Sequence, residues 1–109
     1  MNDCIDIEPL KEQAELLKVL AHPVRLCIVL KLLHSTSLDV TSLQCCLGIP
    51  QSTLSQHLSM LRLHRVVTGD HEGTRVMYSV SNNTVKEIVK QLDIPDEVRK
   101  QIRKEGIPL

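Results

Sequence analysis

The chain contains no phenylalanine and no tryptophan, and Tyr78 is its only aromatic residue. Proteins that grip single-stranded nucleic acid stack its bases on exposed rings, so this shortage argues against that mode of binding. It argues equally against a large aromatic-lined ligand pocket. Net charge is missing too: 13 Lys and Arg offset 13 Asp and Glu, a balance that on its face disfavours a nucleic-acid partner. No apolar stretch approaches the length of about 18 residues that a membrane span requires, and the acidic amino terminus has no signal-like apolar run. A soluble, cytoplasmic protein with no membrane partner is expected. There is no phosphate-cradling loop and no evident pairing of a nucleophile with a base. Catalysis is therefore not expected, and nothing calls for a cofactor.

What is present fits one domain of 109 residues with an ordinary, aliphatic hydrophobic content. Charge is unevenly spread. Asp3, Asp6, Glu8, Glu12 and Glu15 outweigh Lys11 and Lys18 at the start, whereas Arg62, Arg65, Arg75 and three histidines outweigh Asp70 and Glu72 in residues 50–80. Any DNA affinity should be modest and steeply salt-dependent.

Leu10, Ala14, Leu17 and Ala21 recur at helical spacing after Pro9, and this first helix should end at His22, ahead of Pro23. Pro23 suits the first turn of a second helix. That helix, Val24 to Leu33, is apolar almost all round and belongs in the core. Ser35-Thr36-Ser37 reads as loop. Asp39 or Thr41 can cap a third helix reaching about Leu47, with Leu43 and Leu47 inside and Gly48 as its stop.

Ile49-Pro50 turns the chain into a fourth helix, Gln51 to about His64, which is the most informative stretch of the sequence. On a wheel of about 100° per residue, Leu58 and Leu61 fall within about 40° of Leu54 and form the packing face. Ser52, Gln56 and Ser59 lie opposite, flanked by Ser55 and Arg62. A solubilising face is normally Glu and Lys; Gln, Ser and Thr instead donate and accept toward base edges and phosphates. Two short helices joined by a glycine turn, the second polar on its outer face, form a helix-turn-helix.

Residues 66–80 follow as two β-branched runs around Gly73, a hairpin signature. Val76, Tyr78 and Val80 share one face, which leaves Arg75 on the other, near the tip. A hairpin at this position is a wing, and Arg75 is placed to reach the minor groove or its phosphates. Asn82 and Asn83 can cap a fifth helix carrying Val85, Ile88, Val89 and Leu92 as an apolar stripe. Stripes at both ends of so small a domain make Leu10, Ala14 and Leu17, with Val85, Ile88, Val89 and Leu92, candidates for a dimer interface. The expected fold is mostly α with a small β-hairpin: a winged helix-turn-helix of about five helices plus a two-stranded wing. Residues 1–93 form the DNA-binding and dimerisation domain. Residues 94–109 form a charged extension, helical over about 96–105.

Three segments in this order carry a resemblance. Leu20-Ala21-His22-Pro23-Val24-Arg25-Leu26, Gln51-Ser52-Thr53-Leu54-Ser55-Gln56-His57-Leu58 and Gly73-Thr74-Arg75-Val76-Met77-Tyr78 resemble motifs of the ArsR/SmtB family of winged-helix repressors. The likeness spans residues 10–92. It implies a homodimeric repressor that binds double-stranded operator DNA of dyad symmetry and releases it on a metal or thiol signal. Carried over by position, it implies DNA contacts from Gln51, Ser52, Thr53, Ser55, Gln56 and His57, with Arg75 from the wing. Arg62 is either a phosphate contact or a plain solvated arginine. His57 lies about 60° from Leu54 on the same wheel, so it is either a base reader or a core-edge histidine.

The sensing residues of the family are not legible. Its third-helix Cys-x-Cys positions are Asp39 and Thr41 here, and the last helix has no histidine, so no metal site is expected. The family's thiol switch pairs cysteines of the second and last helices, and this last helix has none. The four cysteines should be thiols in a reducing compartment. Cys27 reads as a packed core thiol, Cys46 as a small buried residue and Cys45 as partly exposed. Cys45, and Cys4 across a dimer, are the candidate redox positions. The five scattered histidines ask for no zinc site. Two other functions stay open: a winged-helix module that binds protein, favoured by the neutral charge and outward Leu63, and a thiol or metal sensor of unusual design.

Overall fold

The computed structural model describes residues 4–104. A 3-10 turn, Glu8–Leu10, leads into α1 (Lys11–Leu20), of which only Val19 and Leu20 are buried. The helix stops short of His22. Ala21 already leaves helical angles, and His22 is extended (φ −147°, ψ 125°) as a residue preceding proline must be. His22 Nδ1 then accepts the Val24 amide at 3.1 Å and caps α2 (Pro23–Ser35). Arg25 Nε donates to the Val19 carbonyl at 2.8 Å and ties the corner together.

Ile28, Val29 and Leu32 of α2 are fully buried and form the centre of the core. Leu43 joins them from α3 (Val40–Leu47), and Leu54 and Leu61 from α4 (Gln51–Leu63). Of the two possible caps, Asp39 holds α3, its Oδ1 accepting the Ser42 amide at 2.9 Å. Gly48 takes the left-handed conformation (φ 66°) that closes α3, its amide donating to the Gln44 carbonyl at 2.8 Å.

The carboxyl end of α4 is fixed by a paired closure. The Val66 amide donates to the Leu61 carbonyl at 2.8 Å and the Arg65 amide to the Arg62 carbonyl at 3.0 Å, while Val66 and Leu61 are both fully buried. The left-handed position this closure demands is filled by Arg65 (φ 58°) rather than by glycine.

β1 (Val67–Glu72) and β2 (Arg75–Val80) pair antiparallel from Val67 with Val80 to Glu72 with Arg75, around Gly73 at φ 63°. Tyr78 is also bridged to Leu38, with amide–carbonyl bonds of 3.0 and 2.8 Å in the two directions. The wing is thereby stitched to the segment leading into α3.

Asn82 Oδ1 accepts the Val85 amide at 3.1 Å and caps α5 (Asn83–Lys90). Here the placement differs from the expected dimer stripe. Val85 is fully buried and Val89 nearly so within the chain's own core, because their side of α5 turns inward onto the domain. Ile88 is half-buried and Leu92 exposed. The expected terminal helix is α6 (Asp96–Arg103), and residue 105 lies outside the described residues. α6 lies against α2, held where the buried Lys31 ammonium donates to the Ile102 carbonyl at 2.7 Å and the Lys104 carbonyl at 3.3 Å. No helix among the described residues is long and apolar enough to cross a membrane.

Candidate nucleic-acid interface

α4 divides its side chains as its sequence predicts. Leu54, Leu58 and Leu61 are buried, whereas Gln51, Ser52, Ser55, Gln56, Ser59 and Arg62 are exposed and Thr53 is half-exposed. Each buried leucine contributes about 1.5–3 kcal/mol, which fixes the rotation of the helix and with it the outward aim of the polar face. The face is a row of amides and hydroxyls on a rigid element, the geometry that reads base edges in a major groove.

His57 departs from that row. Its ring centroid lies 4.7 Å from that of His22, tilted by 57°, at the α1–α2 corner. Burial first, then the neighbouring His22 and Arg25, hold its imidazole below the ordinary histidine value. His57 is half-exposed and places its ring against His22 at the start of α2.

Arg75 is exposed at the wing, its Nη1 3.5 Å from Asp39 Oδ2. Hydrogen bonds from Ser42, followed by the pull of Arg75, hold the Asp39 carboxyl below the usual carboxylate range. Arg62 extends along the wing, its guanidinium carbon 5.9 Å from the Tyr78 ring centre. Arg65 was not singled out from sequence. It borders one shallow groove with Arg62, Thr68 and Asp70 at the foot of the wing. The signal that finds it is conformational: a charged residue at a position that favours glycine.

Residues 22–68 match the family described as "Bacterial regulatory protein, arsR family". The transcriptional repressor PagR of Bacillus anthracis is 42% identical over 89 residues, covering 82% of this chain and 89% of that protein. The transcriptional repressor SmtB of Mycobacterium tuberculosis is 42% identical over 82 residues, 75% of this chain and 60% of its own. The chain belongs to the arsR family. In structure, the crystallised PagR superimposes with a TM-score of 0.73 at 41% identity, covering 81% of this chain and all of that one. NolR of Sinorhizobium fredii gives 0.73 at 32% identity, covering 83% and 91%. The protein is a DNA-binding transcriptional regulator with a winged-helix fold.

Set in the arsR fold, the remaining sequence candidates fall as follows. Leu63, 72% exposed, lines a groove with Lys11, Glu15 and Leu16, so its exposure belongs to the α1 side of the molecule and not to the polar face of α4. Asp39 is occupied as the α3 cap, and Thr41 is exposed. Cys4 and Cys45 are exposed. Cys46, expected inside, is exposed as well, because α3 buries only Leu43 fully and its last turn lies at the surface. Cys27 is half-buried, and desolvation raises its thiol pKa.

Proposed function

We propose that this arsR-family chain is a homodimeric repressor that reads an inverted-repeat operator with α4 in the major groove and the wing beside it. The observation that carries the reading is the uncharged exposed row of Gln51, Ser52, Ser55 and Gln56 on a helix anchored by three buried leucines. The wing adds Arg75 and its foot adds Arg62, both exposed and suited to phosphate contacts. Repression is supported by PagR and SmtB, which are named repressors.

The homodimer is supported by surface left uncovered in the single chain. Leu10, Ala14 and Leu17 are exposed along α1, and Leu92 is exposed beyond α5 with Ile88 half-covered beside it. Val85 and Val89 support that surface from beneath.

Selection from a random duplex library tests the reading. Enrichment of an inverted repeat with half-sites about one helical turn apart supports it. Failure to enrich any sequence, or enrichment of an unrepeated site by a protein that sediments as a monomer, overturns it.

A further inference from the structure

Among the described residues, one small cavity of about 70 Å³ has two cysteines in its lining. Cys27 of α2 and Cys46 of α3 line it on one side, with the aliphatic stem and ammonium of Lys31 beside them. Val98 and Ile102 of α6 close the other. Lys31 is only 6% exposed, and its ammonium holds the last turn of α6 through the Ile102 and Lys104 carbonyls. The cavity is thus roofed by a helix latched to the same residue that lies next to the thiols. Cys45 takes no part, since successive residues on a helix point about 100° apart and only Cys46 lines the cavity.

We propose that Cys27 and Cys46 form a redox-modification site that a hydroperoxide converts to an intramolecular disulfide beneath α6. The two cysteines have different parts. Cys46 is solvent-exposed, so its thiolate attacks the peroxide oxygen. The O–O bond breaks, a sulfenic acid forms on Cys46, and the other oxygen leaves as hydroxide or alkoxide and takes up a proton. The Cys27 sulfur then attacks the Cys46 sulfur. The S–O bond breaks as the S–S bond forms, and the hydroxyl departs with the Cys27 proton as water. Burial first, then the charge of Cys46, favour the thiol form of Cys27, while Lys31 acts in the opposite sense and favours its thiolate. The peroxide carries away the two electrons. The bond ties α2 to the first helix of the helix-turn-helix.

The test is mass spectrometry of the full chain after treatment with hydrogen peroxide, blocking of residual thiols and digestion. The expected product is monomeric, lighter than the reduced chain by two hydrogens, and yields a peptide pair joined through Cys27 and Cys46. The Cys45→Ser variant keeps that link and Cys46→Ser loses it. Cys27→Ser leaves a sulfenic acid on Cys46 that dimedone captures. Linkage through Cys4 or Cys45 in the unsubstituted chain overturns the proposal. So does accumulation of sulfinic acid on Cys46 while Cys27 stays reduced. The unsubstituted chain decides the matter even if a variant fails to fold.

Discussion

Arg75 Nη1 lies 3.5 Å from Asp39 Oδ2, so a single carboxylate caps α3 and also holds the arginine of the wing. The pair links the wing to the start of α3, the first helix of the helix-turn-helix. Arg75 itself is exposed, so the pair is worth at most about 1 kcal/mol. Asn caps as well as Asp. Asp39→Asn should therefore keep the cap, lower stability by at most about 1 kcal/mol through the lost pair and, by freeing Arg75 for phosphate, tighten DNA binding up to about fivefold. Asp39→Ala should cost about 1 kcal/mol more through the lost cap. Urea denaturation and fluorescence anisotropy on the same variants separate the two effects.

Arg65 occupies a left-handed position at a strain of about 1 kcal/mol. Arg65→Gly should leave stability unchanged or raise it by up to about 1 kcal/mol. If Arg65 acts with Arg62 on the phosphates, the salt dependence of DNA binding should fall by about one unit of slope. An unchanged slope would assign Arg65 to the helix closure alone.

The His57 imidazole is held below its ordinary value by burial, His22 and Arg25. A base depressed on folding favours the native state in its neutral form. Its contribution is whole above about pH 6.5, the unfolded value, and is lost as pH falls through the lower native value. Urea midpoints should decline across that window, and His57→Gln should flatten the decline. An equally steep decline in the variant would place the titration elsewhere.

Gly69 is where the wing strands admit no side chain. A Cβ there would stand 2.9 Å from Val76 Cγ1 and 3.2 Å from a Tyr78 ring carbon. Gly69→Ala should cost about 1–3 kcal/mol, read in thermal denaturation, and should weaken DNA binding by displacing the strand that carries Arg75.

The parts of the molecule legible in its sequence are those written in local or periodic signals. The leucine spacing of α4, Gly48 as a stop, the caps at Asp39 and Asn82 and the Gly73 turn each act within a few residues. The candidate interface was legible for the same reason, since rotation of one helix decides it. Contacts between distant segments left no such trace. The Leu38–Tyr78 bridge is a pairing of single residues, with no alternation to reveal it. The Lys31–Ile102 hydrogen bond spans 71 positions, so neither the burial of Lys31 nor the docking of α6 could be foreseen. Val85 and Val89 show the limit of a stripe: spacing establishes that one side of α5 is covered, but not whether its own core or a second copy covers it.

The central claim is that the polar row of α4 reads sequence while the arginines hold phosphate. It is tested most directly by fluorescence anisotropy of a selected inverted-repeat duplex and a scrambled duplex, titrated at several salt concentrations. Gln56→Ala should bring the affinities of the two duplexes together with the salt slope unchanged, the discrimination falling by about 1–3 kcal/mol. Arg75→Ala should weaken both duplexes alike and lower the slope by about one. Equal affinity of the unsubstituted protein for both duplexes, or binding without salt dependence, would contradict the claim.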